Sequence, residues 1–456
     1  MVSGRVSRRA APDEVLDRAL ELAAGGEAEA LYLARDAALT RFAGSRIHQN
    51  VSEHDATVRV RVVDGGRSGV ASTNRLDDEG MREVVERATE ICRRSMPNPD
   101  PTPLPPPEAG GVESDLGYTR ATADAQPERR AEGARAVIAA ADAAGLDASG
   151  AFSTEANTIA IANTNGLRSS HATTQAKLVT VMTGEDRASG YAQASSTDVS
   201  RIDAVAVGAE AADKAKMAAG AEDLEPGEYE VILEEYAVAT ILEYLSFDGF
   251  SALALEEGRS FMELGEQVMG TNVSIWDDGD DPTGLPAAID FEGVAKRRVD
   301  LVTDGVAHAV VHDSATARRA GTTSTGHGLP APNTFGPISW NLFMAPGSSS
   351  KASMLSSIDR GLWVTRFHYV NTVHPRKAVL TGMTKDGTFL IEGGRIVRPV
   401  RNLRFTQAIP EAFSRIEAIT SDTRLIAAEY SGINARVPAL RIGRFAFTGA
   451  TGSESA

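Results

Sequence analysis

Between Ser95 and Gly111 the chain reads SMPNPDPTPLPPPEAGG, seven prolines in 17 residues. Proline lacks a backbone N–H and fixes φ near −65°, so a run this dense enters neither a helix interior nor a sheet. It reads as an extended connector that divides the chain into units. The boundaries expected from it are a first unit at 1–96, the connector at 97–111, a second unit at 112–224 and a third at 225–456. A chain of 456 residues has room for such a division and for a substantial core.

Periodicity fills in the units. APDEVLDRALELAAGG places Val15, Leu16, Ala19, Leu20 and Ala23 on one face, with Asp13 as cap and Gly25-Gly26 as stop, so it predicts a helix. From Glu29 to Thr73 apolar and polar residues alternate through what read as several short strands, with Asp64-Gly65-Gly66 as a hairpin turn. A second helix is expected over 77–95. The second unit opens with the alanine-rich helix PERRAEGARAVIAAADAAG. Strands follow around the turn Asn163-Thr164-Asn165-Gly166, and a helix near 203–220 closes it. The third unit starts with a strand at Tyr229–Leu233 and an amphipathic helix through TILEYLSFDGF, residues 240–250. Mixed strands follow, including a hairpin at Gly393-Gly394. The fold class is α+β: an N-terminal α/β region of two subdomains, then a large β-rich C-terminal domain with a few helices.

Charge excludes some functions. There are 46 basic and 62 acidic side chains, a net charge of −16. A surface that acidic repels phosphate backbones, and no Lys/Arg run is long enough to offset it. The basic residues of RRVDLVTDG and VRPVRNLRF are spaced like the solvent faces of strands. The single cysteine, Cys92, excludes an internal disulfide and any cysteine-rich metal site. It lies at helical spacing with Val84, Val85, Ala88 and Ile91, as a buried helix residue would. No apolar run approaches the roughly 18 residues of a membrane span, and no signal-like apolar stretch follows the basic start. The expectation is a cytoplasmic protein with no nucleic-acid or membrane partner.

Few side chains are spaced for chemistry. Ser348 and Lys351 have Ser-x-x-Lys spacing, but their context reads as a helix cap and first turn. His308 and His312 stand four apart among valines that favour a strand, where four residues span roughly 13 Å, too far to share a metal. His368 and His374 are no better placed. DDGDDP at 277–282 lacks the glutamate of a calcium loop and reads as a solvated turn. No phosphate-binding glycine motif occurs. The loop RAGTTSTGHGLPAPNTFGP, 319–337, is long and rich in Gly, Thr, Ser and Pro. It is either a peptide-contacting loop, with Thr325, His327 and Asn333 as contact candidates, or a structural crossing. Glu243 and Asp248 flank Tyr244-Leu245-Ser246-Phe247. Five residues apart on a helix, they diverge by about 140°.

Four blocks, in order, resemble the TldD/PmbA family, whose older name is modulator of DNA gyrase. They are LTRFAGSRIHQNVSEHDATVRVRVVDGGRSGVASTNRLD, RRVDLVTDGVAHAVVHDSATARRAGTTSTGH, GLWVTRFHYVNTVHPRKAVLTGMTKDGTFLIEGGRI and VPALRIGRFAFTGAT. The resemblance covers about residues 12–450. It implies a dimer, and for catalytic TldD-type members a zinc peptidase with HExxxH on the first helix of the C-terminal domain and a metal-binding cysteine near the C-terminus. This sequence departs at both places. Counted from YEVIL, the histidine positions hold Glu243 and Asp248 and the glutamate position holds Tyr244. EYSGINARVPALRI has no cysteine. The chain is therefore similar to the TldE (PmbA) type, a non-catalytic subunit. The resemblance implies no catalytic, metal or cofactor residues here, with zinc in a TldD-like HExxxH partner. It also implies a peptide substrate such as an antitoxin or a leader segment, and a homodimer when the chain is alone. Two other readings stand beside it. One is an active hydrolase in which Glu243 and Asp248 hold a hard cation near His327; the other is a non-proteolytic regulator that binds a peptide or protein.

Overall fold

The computed structural model describes residues 11–23, 25–429 and 431–450. The N-terminal region runs α1 (Pro12–Leu22), β1 (Glu27–Ala43), β2 (Arg46–Asp64), β3 (Arg67–Thr73), α2 (Asp78–Arg94), β4 (Glu113–Ser114), α3 (Arg120–Ala123), α4 (Pro127–Ala144), β5 (Asp147–Asn163), β6 (Arg168–Thr183), β7 (Ser189–Ser196) and α5 (Ala204–Met217). The C-terminal region runs β8 (Gly227–Leu233), α6 (Glu235–Asp248), α7 (Ala252–Glu256), β9 (Ile275–Asp277), β10 (Val299–Thr303), β11 (Val306–Ala307), α8 (Ser314–Arg319), β12 (Asn341–Met344), α9 (Lys351–Ser356), β13 (Arg360–His374), β14 (Val379–Glu392), β15 (Arg395–Pro399), β16 (Leu403–Ala408), α10 (Ile409–Phe413), β17 (Ile416–Ala427) and β18 (Asn434–Ala450). The fold is α+β.

One seven-stranded sheet spans the N-terminal region, ordered β3-β2-β1-β5-β6-β4 with β7 also on β6. β1 pairs antiparallel with β2 on one side and β5 on the other, so the segments flanking the proline run share a sheet. Alternation assigns its two faces. Even-numbered Ala30, Tyr32, Phe152, Ala160 and Leu178 pack under the helices: α1 and α2 cover one end through Leu16, Met81, Val85 and Cys92, α4 and α5 the other through Val137 and Val207. Odd-numbered Leu31 and Ile161 face the other way and meet Ile289 of the C-terminal region. The prolines do not form a loose strap. Leu104 is buried, Asn163 Nδ2 donates to the Pro105 carbonyl at 2.8 Å, and Asn165 Nδ2 to that of Leu104 at 3.0 Å.

Local expectations are corrected in two places. The alternating stretch is not several short strands: β1 has 17 residues and β2 19, reversing at Gly44-Ser45, both in the left-handed region. Two flanking partners satisfy β1 along its length, so nothing interrupts it. Asp13 is not the cap of α1. Ala11 is, with Pro12 in the first turn, where its missing N–H costs nothing, and Asp13 beside the positive helix end. In contrast, Asp77 and Asp203 do cap α2 and α5, accepting from Gly80 N at 2.7 Å and Ala206 N at 3.0 Å. Gly69 lets β3 lie against α2: a Cβ there would stand 2.1 Å from the Ala88 carbonyl oxygen.

The C-terminal sheet has eleven strands, ordered β11-β10-β9-β12-β18-β16-β14-β13-β8, with β15 on β14 and β17 on β18. β8 also pairs with β18, so β18, β16, β14, β13 and β8 close a ring. Phe367, Phe405 and Phe445 meet in its core, with ring centroids 4.4 to 5.8 Å apart. β8 hands the chain directly to α6, and that junction positions the candidate site.

Candidate functional site

α6 is not amphipathic. Glu235, Tyr236, Ala237, Val238, Ala239, Ile241, Leu242, Leu245 and Ser246 are all buried, so apolar surface surrounds most of the helix. A helix apolar on nearly all sides belongs in an interior. Its N-cap, Glu234, makes no side-chain capping bond. That carboxylate is held by Trp363 Nε1 at 2.5 Å and Lys214 Nζ at 2.6 Å. The Ser-x-x-Lys lysine serves the same junction, because Lys351 Nζ donates to Glu235 at 2.7 Å while Ser350 caps α9. α6 ends at Gly249, where a Cβ would lie 2.0 Å from the Phe261 ring.

Glu243, Tyr244 and Asp248 leave this helix in separate directions. Burial raises the Glu243 pKa, Ser431 opposes the rise, Glu429 adds to it and Lys177 opposes it. The Tyr244 hydroxyl donates to the Val370 carbonyl. Asp248 accepts from the Thr372 hydroxyl, and burial raises its pKa against that bond. One carboxylate thus faces the 427–433 segment and the other faces β13. Tyr369, between their β13 partners Val370 and Thr372 and His368, is exposed in the left-handed region, a strained position for an aromatic residue.

Glu243 opens into a cavity of about 430 Å³, together with Tyr236, Tyr244, Arg366, His368 and Glu429. Arg366 stacks over Tyr191, with its Cζ 4.2 Å from the ring centroid, and its Nε donates to Asp386 at 2.6 Å. The N-terminal sheet supplies the far wall. Lys177 Nζ donates to the Ala427 and Ala428 carbonyls at 3.0 and 2.9 Å, and Gln193 Nε2 to Ala427 at 2.8 Å. Burial lowers the Lys177 pKa against the pull of Glu429, Glu155 and Glu243. On the other side of Ala427–Ala428 a second hollow, about 720 Å³, runs along the open face of the N-terminal sheet. Sequence reasoning missed Lys177, Gln193, Arg366 and Glu429. Nothing in their local spacing marks them, since they converge only through tertiary pairing.

Within the 319–337 loop Gly326–Gly328 are turned inward, while Gly321–Thr323, Thr334 and Phe335 are exposed. The His327 ring has no exposure: its Nε2 lies 2.9 Å from Asp277 and its Nδ1 2.9 Å from the Thr325 hydroxyl. His327 therefore offers no surface to a peptide and does not line the Glu243 cavity. Thr325 is bonded to the backbone of His312 at 2.7 and 3.0 Å, and the partly buried Asn333 to its own loop at Gly336. Asp277 is equally buried and departs from the reading of DDGDDP as a solvated turn, whereas Asp280 and Pro282 of the same segment are exposed in a turn. Asp277 belongs to β9 and also binds Lys296 at 3.2 Å, while Lys296 donates to Asn341 at 2.7 Å. Burial would raise the Asp277 pKa, but Lys296 and His327 outweigh it and hold it at about 2. Burial and then Lys296 lower the pKa of His327. The Asp277 carboxylate accepts from His327 Nε2–H. Only Val306–Ala307 forms a strand before His308, which is exposed, whereas His312 is half-buried and His374 exposed.

Residues 28–92 match the PmbA/TldA metallopeptidase domain 1, residues 121–219 its central domain and residues 226–449 its C-terminal domain. The chain belongs to the PmbA/TldD family. The family fold is matched by TldE from Thermococcus kodakarensis, with a TM-score of 0.86 at 19% identity over 96% of this chain and all of that one. A Thermotoga maritima protein described as a modulator of a DNA gyrase aligns with a TM-score of 0.82 at 20% identity, over 96% of this chain and 100% of that chain. In sequence, a Haemophilus influenzae metalloprotease TldD homolog is 26% identical over 171 residues, 36% of this chain and 34% of that protein. An uncharacterised Methanocaldococcus jannaschii protein is 35% identical over 100 residues, 21% of this chain and 24% of that protein. These alignments span only a quarter to a third of the relatives' length.

The resemblance of the TldD-type members places a zinc motif on α6. The side chains present here do not fit zinc. The two ligand positions carry carboxylates that face apart, Asp248 accepting from Thr372 and Glu243 opening into the cavity, and the base position carries a tyrosine committed to Val370. Among the described residues no three His, Cys, Asp or Glu side chains are gathered to hold a metal. Zinc needs three or four such ligands around one point.

Proposed function

We propose that this chain is the non-catalytic, TldE-like subunit of a heterodimeric TldD/TldE-type zinc metallopeptidase that trims peptides. One observation carries the reading: at the positions of a metal-binding motif, Tyr244 and Asp248 are committed to Val370 and Thr372, while Glu243 opens into the cavity on another side of the helix. A working site needs imidazoles free to bind the ion and a carboxylate free to activate its water. The TldD homologs among the relatives and the TldE structure among the fold matches support the assignment. The partner, bearing HExxxH, supplies zinc and the base. This chain contributes the walls of the Glu243 cavity and stabilises the pair, and alone it forms a homodimer. The cytoplasm is the proposed compartment; among the described residues no helix is long and apolar enough to cross a membrane.

The test is co-purification from the source cells, followed by cleavage of an unfolded peptide by each chain alone and by both together. Cleavage by the pair, abolished when the partner's motif glutamate is replaced, is the expected outcome. Recovery of this chain without an HExxxH partner, from cells that encode one, contradicts it.

A further inference from the structure

The seam between the N-terminal sheet and the C-terminal region buries a carboxyl with one unpartnered oxygen. Glu29 on β1 is only 5% exposed, and its Oε2 has no hydrogen-bond partner. It lies two residues before Leu31 on the face that packs Ile289, so it points toward the tight turn at residues 290–294. That turn is stitched to the sheet: the Ser169 hydroxyl donates to the Gly293 carbonyl at 2.9 Å, and Ala295 N to Ala109 at 2.9 Å. Nearby, Arg59 Nη1 donates to Ala331 of the 319–337 loop at 2.8 Å. The turn brings Glu292, whose carboxylate is fixed by Ser314 N at 2.9 Å and the Ser314 hydroxyl at 2.6 Å.

We infer that the seam is a proton-dependent clasp, closed while Glu29 is protonated and loosened when Glu29 ionises beside Glu292. The groups facing the pair are few. Arg61, cross-strand from Glu29 on β2, attracts both carboxyls; its Nε is spent on Ser68 at 3.4 Å. From the C-terminal side Asp313 adds negative charge around Glu292, and burial raises the pKa of both Glu292 and its neighbour Asp290. Asp290 is turned away to accept from the backbone N–H groups of Glu292, Val294 and Gly328 at 2.9, 2.9 and 2.7 Å. Burial, opposed by Arg61 and reinforced by Glu292, raises the Glu29 pKa to about 7. The sign follows: the closed seam holds the proton more tightly than the open one. Closure is fully favoured below the ordinary carboxyl range, and that advantage is lost as pH rises to about 7.

The test is amide hydrogen exchange of segments 289–293 and 328–331 in the full chain, corrected for intrinsic rates. From about pH 6 to about pH 8 the opening equilibrium rises about tenfold in the wild type and by severalfold less in Glu29→Gln, where Glu292 and Asp290 alone remain to titrate. A flat wild-type profile, or the same rise in Glu29→Gln, overturns the clasp. If Glu29→Gln does not fold, infrared titration of the wild type, with the Glu29 band assigned by site-specific isotope labelling, decides. A protonated band at about pH 6 that is gone by about pH 8 supports the clasp, and an ionised carboxylate throughout overturns it.

Discussion

Asp277 shows what a single buried charge does in this molecule. It accepts from Lys296, His327 and Asn341 N, at 3.2, 2.9 and 2.8 Å, with no exposure of its own. Replacing it with Asn leaves Lys296 buried without a countercharge. The expected loss is about 3–5 kcal/mol by denaturant unfolding, whereas Asp278→Asn, at a partly exposed neighbour, changes little. Because its pKa is depressed to about 2, the stability Asp277 contributes is present above the ordinary aspartate range. It is lost as pH falls toward about 2, which an acid unfolding profile of wild type against Asp277→Asn reads directly. The α6 window is the second case. Thr372→Val removes the donor from a partly buried Asp248 and costs about 1.5–3 kcal/mol. Asp248→Asn in the same background then recovers part of that loss, because the neutral side chain no longer needs a charge-assisted donor.

Among the elements, the segment Ala427–Ala428 depends on donors from the other end of the chain. Lys177→Met removes two cross-region hydrogen bonds. The expected outcome is faster amide exchange at Ala427 and Ala428 and a loss of about 1–3 kcal/mol. The turns were legible in the sequence, because Asp64-Gly65-Gly66 and Gly393-Gly394 carry the left-handed glycines that tight reversals require. So were the helices capped by Asp77 and Asp203. The length of β1 and β2 was not, since the Gly44-Ser45 reversal lacks a strong turn pair and partners on both sides decide where a strand stops. α6 was misread as amphipathic: its polar residues are few and turned to specific partners, and periodicity cannot distinguish a solvated face from a satisfied one. The Asp277, Lys296, His327 and Asn341 quartet was invisible, because strand pairing and loop closure assemble it from four distant places.

At the scale of the whole molecule, two sheets meet along a seam, and the Glu243 cavity lies where the C-terminal ring and the N-terminal sheet both contribute walls. We propose that this α6 holds no metal, although the resemblance to TldD-type members implies a zinc motif on it. Metal content measured by mass spectrometry tests it most directly, on the purified chain alone and on the chain co-purified with an HExxxH partner. The account predicts zinc in stoichiometric amount only in the pair, and its loss when the partner's motif histidines are replaced. A stoichiometric ion in the isolated chain, removed by the Glu243→Ala, Asp248→Ala double substitution, would contradict it.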